Sequence, residues 1–440
     1  MAIRRGRRPA AGADGRGSAA TAVKVGEGGS SPEPHPLLAR LDSPLSTYYL
    51  LIGVTGALLL IGLVMVLSAS SVVSYQETGD SFQIGMNQAK FAVLGIAGAI
   101  VASRLPVDIW RRLAVPTLVL ATFLQLLVFV PGLGVRVNGN LNWLRLGGLQ
   151  LQPSEFGKLA LVLYGATILT QKRHLLVDWR HAVIPYVVPV ALVVIGLVLK
   201  GGDLGTTFVL LGVVGAVLWT SGIRARVLGA AAGAGAALVL AMAAISSNRR
   251  ERISGWLSCG GDNTDDIGRI RDVCWQTAHG EFALADGGLG GRGLGASLEK
   301  WGWLPERHND FIFAVIGEEL GIGGTLTILL LVCLLAFACY RVIWQSDDMF
   351  QRLATAGVMG WIVVQSVVNI GAVIGLLPVI GVPLPLVSAG GSALVTTLFA
   401  LGMVISFART EPACQRALSA RPGRVGRSLA AIGAARKGRR

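Results

Sequence analysis

Apolar residues along this chain come in long unbroken blocks rather than in alternation. A helix that crosses a bilayer needs about 20 mostly apolar residues. Such blocks run over 48–71, 91–103, 113–133, 156–170, 182–199, 205–222, 227–245, 322–344, 353–377 and 389–408. They lack the period-two pattern of barrel strands, so helices are expected. The expected fold is an all-α polytopic membrane protein of about ten transmembrane helices. A long outer loop lies between spans seven and eight, and a re-entrant segment precedes span ten.

Charge then orients the spans. Arg104, Arg111 and Arg112, then Lys172, Arg173 and Arg180, then Arg224 and Arg226 fall in alternate short loops. The opposite loop, 74–87, holds Glu77 and Asp80 and no Lys or Arg. Basic loops stay cytoplasmic, which places both termini in the cytoplasm. Residues 1–47 hold seven basic and four acidic residues, and 410–440 hold eight and one. The two tails thus account for about +10 of the net charge of +14. Both are rich in Ala, Gly and Arg, and 1–47 is expected to be disordered. Basic tails flanking membrane spans point to topology and anionic lipid rather than to nucleic acid. The composition, 52% hydrophobic and 15% charged with mean hydropathy +0.61, excludes an ordinary soluble domain. The first apolar block starts too far in for a cleavable signal peptide.

The long loop, 246–310, carries eight basic and ten acidic residues and is expected to be extracellular. Cys259 and Cys274 lie in it, on the oxidising side, where a disulfide is plausible. Cys333 and Cys339 fall in a span and read as packing residues. Gly288-Leu-Gly-Gly-Arg-Gly293 matches a dinucleotide-binding pattern only formally, because no βαβ context surrounds it. Close backbone packing is the better account.

Four clusters could carry chemistry. In Trp303-Leu-Pro-Glu-Arg-His-Asn-Asp310, the carboxylates Glu306 and Asp310 are four apart and would share a helix face. They read either as a solvated helix start or as a general base at the membrane edge. Glu318 and Glu319 enter the following apolar block, where carboxylates usually face a cavity or a partner. In Gln152-Pro-Ser-Glu-Phe-Gly-Lys158, Ser154 could cap a helix and Glu155 could pair with Lys158. In Lys200-Gly-Gly-Asp-Leu-Gly-Thr-Thr207, Asp203 stands at a helix start. In 375–392, Pro378, Pro383 and Pro385 rule out one regular helix. Non-helical backbone at that depth must be buried or line a polar cavity.

Together these clusters resemble the SEDS family (shape, elongation, division and sporulation proteins). The carrying residues are Gln152–Lys158, Asp203-Leu-Gly-Thr206, the glycines of 290–295, Leu304-Pro-Glu-Arg-His-Asn-Asp-Phe-Ile-Phe313, Gly317-Glu-Glu-Leu-Gly321 and 375–391. The resemblance spans about 48–409 and implies a ten-helix peptidoglycan glycosyltransferase. Such an enzyme polymerises lipid II outside the cytoplasmic membrane, beside a class B penicillin-binding transpeptidase and other divisome proteins. It implies that Asp310 takes the proton from the acceptor sugar's 4-hydroxyl. It implies that Glu155 and Lys158 form a buried pair beside the substrate cavity, and that Asp203, Glu306 and Glu319 are further acidic positions. Lys158, Lys200 and Arg307 are the candidate partners of the substrate diphosphate, and a divalent cation (Mg or Mn) is left open. Two residues depart from the family pattern. Asn142 stands where Arg is frequent, which argues against a cation there. Ser388-Ala-Gly-Gly-Ser392 has Ala where Tyr is common. That form, with the long tails, is similar to the division branch and to high-GC actinobacterial members. A lipid II flippase, an elongation-type polymerase and a non-catalytic scaffold are the competing readings.

Overall fold

The computed structural model describes residues 44–137, 139–245, 256, 274–411 and 414–416. All of them belong to one compact unit, Ser43–Arg440. Residues 1–43, most of the C-terminal tail, Cys259 and most of the first half of the long loop lie outside the described residues; 44–47, expected in the disordered tail, begin the first helix.

The apolar blocks fold as helices α1 (Pro44–Thr78), α2 (Gln83–Ala102), α3 (Val107–Leu127) and α4 (Pro153–Gln171). Next come α5 (Arg180–Lys200), α6 (Leu204–Thr220) and α7 (Ala225–Ile245). A shorter helix, α8 (Trp275–Gly287), lies in the long loop. The bundle closes with α9 (Ile312–Gln345), α10 (Met349–Val373) and α11 (Gly391–Thr410). The ten expected spans thus correspond one for one to α1–α7 and α9–α11. Among the described residues, six of these are long and apolar enough to cross a membrane. Of the others, α6 is apolar but only 17 residues long. Charges at Asp108, Arg111 and Arg112 in α3, and at Glu155 and Lys158 in α4, interrupt their apolar character.

Contacts across the bundle establish which helix ends lie together. Thr47 at the start of α1 donates to Gln345 at the end of α9 (3.0 Å), and Arg111 pairs with Asp348. Ser406 near the end of α11 donates to the Leu105 carbonyl between α2 and α3 (2.6 Å). The basic short loops share this end.

The opposite end differs from the sequence expectation in four ways. The third span stops at Leu127 rather than near 133, and turns lead into a three-stranded antiparallel sheet that the apolar pattern does not predict. Its strands are β1 (Gly134–Val137), β2 (Asn140–Leu146) and β3 (Leu149–Leu151), in the order β1-β2-β3. Gly147, at φ 60°, allows the tight β2–β3 turn. The eighth span starts ten residues before the expected position, at Ile312, and is kinked at Gly321 (φ 66°, ψ −161°). The kink leaves carbonyls without their helical partners. The Gly-rich segment fills that need: Arg292 N donates to Glu318 O (2.9 Å) and Gly293 N to Glu319 O (3.0 Å). A Cβ on Gly291 would sit 2.3 Å from Glu319 O, so glycine is required by this close approach. Ser154 does not cap α4. Pro153 takes the first helical position, which moves the cap back to Gln152, and the Ser154 hydroxyl has no hydrogen-bond partner. Finally, Glu306 and Asp310 share no helix face, because α9 begins only at Ile312 and Glu306 has φ 51° in a tight turn.

The segment between α10 and α11 is non-helical and is buried in its second half, with Val382, Leu384, Leu386, Val387 and Ser388 all at most 5% exposed. It threads beside α1 at Gly62, where a Cβ would lie 2.5 Å from Leu386 O and 2.7 Å from Val387 Cα. Ala in place of Gly normally favours a helix by about 1 kcal/mol. Here the contact atoms are backbone, and overpacking costs about 1–3 kcal/mol. Gly62→Ala is therefore expected to lower the thermal unfolding temperature in detergent. Gly53→Ala, on the same helix with nothing within 4 Å, is expected to leave it unchanged or raise it.

Candidate functional site

The non-basic end of the bundle contains a cavity of about 480 Å³. The sheet walls it through Val137, Asn140, Asn142 and Trp143; α2 contributes Asn87, Gln88 and Phe91; and the 379–383 and 389–393 stretches close one side. Into it come Glu155 and Lys158 from α4, Asp203 and Thr206 from the α6 start, Gln365 from α10, and Glu306, His308, Asn309 and Asp310. The four sequence clusters therefore meet in one place.

Each acidic group is held differently. Asp203 caps α6: Oδ1 accepts from Thr206 N (2.8 Å). Its Oδ2 accepts from Thr206 Oγ1 (2.8 Å), Gln152 Nε2 (3.0 Å) and Asn142 Nδ2 (3.1 Å). Asn142 thus serves Asp203 as a neutral donor. Glu155 and Lys158 pair at 2.8 Å, with both side chains at most 3% exposed. The Lys158 ammonium also donates to Gln365 Oε1 (3.0 Å) and lies 4.4 Å from the Trp361 ring centre. Removing one member of so buried a pair leaves an uncompensated charge.

The Glu306–Asp310 turn is clamped through its backbone. Ala389 N donates to His308 O (2.9 Å), Ser388 Oγ to Asn309 O (2.7 Å) and Asn369 Nδ2 to Asp310 O (2.7 Å). Ser388 in turn accepts from Leu384 N (2.7 Å). It therefore fixes the turn to the segment rather than facing the cavity. From the other side, Trp275 Nε1 donates to Trp303 O (2.7 Å) at the start of α8. Cys274, just before that helix, is disulfide-bonded; the expectation for Cys259 falls outside the described residues. Cys333 and Cys339 are free; Cys339 is buried, as a packing residue would be, whereas Cys333 is exposed on α9 and does not pack inside the bundle.

Three further predicted residues lie away from the cavity wall. Lys200 is exposed and sits over Phe129, 4.9 Å from its ring centre. Arg307 is 6% exposed and donates to Leu304 O (3.1 Å), with its Nε unpartnered. Glu319 is buried against Ser68 (2.7 Å) and Lys300 (3.4 Å), joining α9 to α1 and the long loop. Its neighbour Glu318 accepts from Ser297 Oγ (2.5 Å) and Leu298 N (2.6 Å). These two carboxylates hold the long loop to the bundle. The described lining then sets the carboxylates of Glu155, Asp203, Glu306 and Asp310 against the ammonium of Lys158. No three metal-ligating side chains gather among the described residues. Missed in the sequence were Gln88, Gln365 and Asn369, although polar side chains inside apolar blocks were the available signal.

The chain matches the family described as "Cell cycle protein", covering FtsW, RodA and stage V sporulation protein E, over residues 48–412. It belongs to the SEDS family. Relatives include the probable peptidoglycan glycosyltransferase FtsW of Mycobacterium tuberculosis, 38% identical over 396 residues, covering 89% of this chain and 73% of that protein. Stage V sporulation protein E of Bacillus subtilis is 34% identical, over 82% of this chain and 96% of that one. Among solved structures, a chain of a peptidoglycan synthase complex superposes with TM-score 0.65 at 28% identity, covering 82% of this chain and 97% of that one. RodA of Thermus thermophilus superposes at 0.60 and 28%, covering 82% and 96%.

His308 gives this site a pH dependence. Burial lowers its pKa; Glu306 and Glu77 act the other way, and Arg307 adds to the lowering. The unfolded imidazole takes its proton near about 6.5, the folded one only at lower pH. Between those points the unfolded state binds more protons, so stability falls as pH falls. Thermal unfolding of the wild type is therefore expected to lose more between about pH 7.5 and 5.5 than that of His308→Gln. Equal slopes for the two proteins would show the effect to be absent.

Proposed function

We propose that this chain is an FtsW-type peptidoglycan glycosyltransferase that polymerises lipid II at the outer face of the cytoplasmic membrane. The observation that carries it is Asp310, which lies on the cavity wall in a turn whose backbone carbonyls at 308, 309 and 310 are each clamped. A carboxylate so held can accept the proton of an acceptor hydroxyl while that oxygen attacks the donor's anomeric carbon. The bond to the lipid diphosphate breaks, and the diphosphate departs with the bonding pair. It is a good leaving group by itself, so the two-carboxyl arrangement of glycoside hydrolysis is not required. Thr206, Asn142 and Gln152 keep Asp203 hydrogen-bonded in the cavity wall, which suits a positioning role for that carboxylate.

The division role is supported by the FtsW relatives, among them that of Mycobacterium tuberculosis at 38% identity, and by Ala389 in the last motif. It places the protein at the septum, with both termini cytoplasmic as the basic loops require. A class B transpeptidase and other divisome proteins would be its partners, and membrane lipids its surroundings. The structural neighbour from a peptidoglycan synthase complex supports pairing with a crosslinking enzyme.

Purified full-length protein should convert labelled lipid II to polymer. Asp310→Asn should reduce turnover by roughly 10²–10⁴-fold, the usual worth of a general base, with unchanged thermal unfolding. Full polymerisation by that variant would remove Asp310 from the chemistry. Transport of lipid II across liposomes without polymer would favour a flippase.

A further inference from the structure

Two amides on α10 link features that the sequence kept apart. Gln365 and Asn369 are one helical turn apart and both 2% exposed. The partners dictate which way each amide faces. The Lys158 ammonium (3.0 Å) and the Trp361 indole N–H (2.7 Å) can only donate, so Gln365 turns its Oε1 to them. Its Nε2 is left to donate to Pro383 O (2.8 Å). Asn369 faces two carbonyls, which can only accept, and its Nδ2 donates to Val382 O and Asp310 O (2.7 Å each). The result is a series of fixed polarity: Glu155, Lys158, Gln365, the carbonyls of residues 383 and 382, Asn369, and the backbone of Asp310.

We infer that the buried Glu155–Lys158 pair acts on Asp310 from a distance, with Gln365 and Asn369 as positioning residues that set where the Asp310 turn stands. This rests on the glycosyl-transfer reading of Asp310. The physical reason is the lack of regular structure on both sides of Asn369. The 374–390 segment and the 304–311 turn have no helical ladder to hold their carbonyls. In a water-poor setting those carbonyls must be met by side chains. Asn369 meets one from each and so ties the turn to the segment. Lys158 keeps Gln365 from flipping, because a flipped amide would set N–H groups against an ammonium and an indole N–H. The pair therefore has a task besides lining the cavity.

The test uses full-length protein in detergent, fluorescent lipid II, and amide hydrogen exchange read by mass spectrometry. Asn369→Leu and Gln365→Met keep size and remove the donors. Each is expected to lower kcat by about ten- to a hundredfold, the scale of a small misplacement of a reacting group, with KM for lipid II little changed. Exchange should quicken across 306–311 and 382–390 while the α2–α11 contact stays protected. Lys158→Met should show the same local pattern. Added to Asn369→Leu, it should cause less than its own separate loss, as residues acting in one series do. Wild-type kcat in Asn369→Leu, or unchanged exchange at 306–311 in Lys158→Met, would overturn the proposal. If Asn369→Leu fails to fold, with exchange raised throughout, Asn369→Ser replaces it. That variant keeps one donor and should lose part of kcat; full activity there would also overturn the proposal. If Asp310→Asn retains polymerisation, the catalytic reading fails, and the exchange response still decides whether the series exists.

Discussion

Backbone polar groups away from water must be hydrogen-bonded, and in this bundle that constraint governs the site. Helices satisfy it internally. The stretch between α10 and α11 cannot, because Pro378, Pro383 and Pro385 break the helical ladder. Its carbonyls are met instead by Gln365, Asn369 and Gln88. Its Leu384 N–H is met by Ser388. Two of these side chains, Asn369 and Ser388, also hold the Asp310 turn, so satisfying the backbone and building the cavity are linked.

The same constraint explains the second irregular region. The kink at Gly321 releases carbonyls that the Gly-rich stretch must answer with its own N–H groups. Glu318 and Glu319, beside the kink, then receive Ser297, Leu298, Ser68 and Lys300. A carboxylate pair entering an apolar helix looks like a functional centre. Here it anchors the long loop, whose far end carries Glu306 through Asp310 into the cavity.

Charge is partitioned along the bundle axis. The basic loops gather at one end, and the cavity at the other contains more carboxylates than cations among its described lining. Lys158 is committed to Glu155 and Gln365, while Lys200 and Arg307 turn elsewhere. A lipid diphosphate entering this end meets a wall rich in amides and carboxylates. That favours holding sugars and removing a proton over binding phosphate by protein cations alone.

Hydropathy and charge along the chain determined the ten helices, the gathering of the basic loops at one end and the exclusion of a regular helix at 375–392, because burial and topology follow from local apolar length and charge bias. The i, i+3 spacing of Glu155 and Lys158 made their pairing visible, and Asp203 could be read as a cap. What sequence spacing could not supply was orientation. Glu306 and Asp310 read as one helix face but lie in a turn before α9, with Glu306 alone in the left-handed region. Ser154 read as a cap but sits inside α4. Lys200 and Arg307 read as substrate cations but point away. The β-sheet was invisible because its strands are only three to seven residues long and sit between apolar blocks. Only the tertiary structure placed Gln365 and Asn369 between the ion pair and the Asp310 turn. Apart from the Trp361–Gln365 bond within α10, the hydrogen bonds that define their roles join residues from 13 to 207 positions apart in the chain, and no local pattern encodes such a distance.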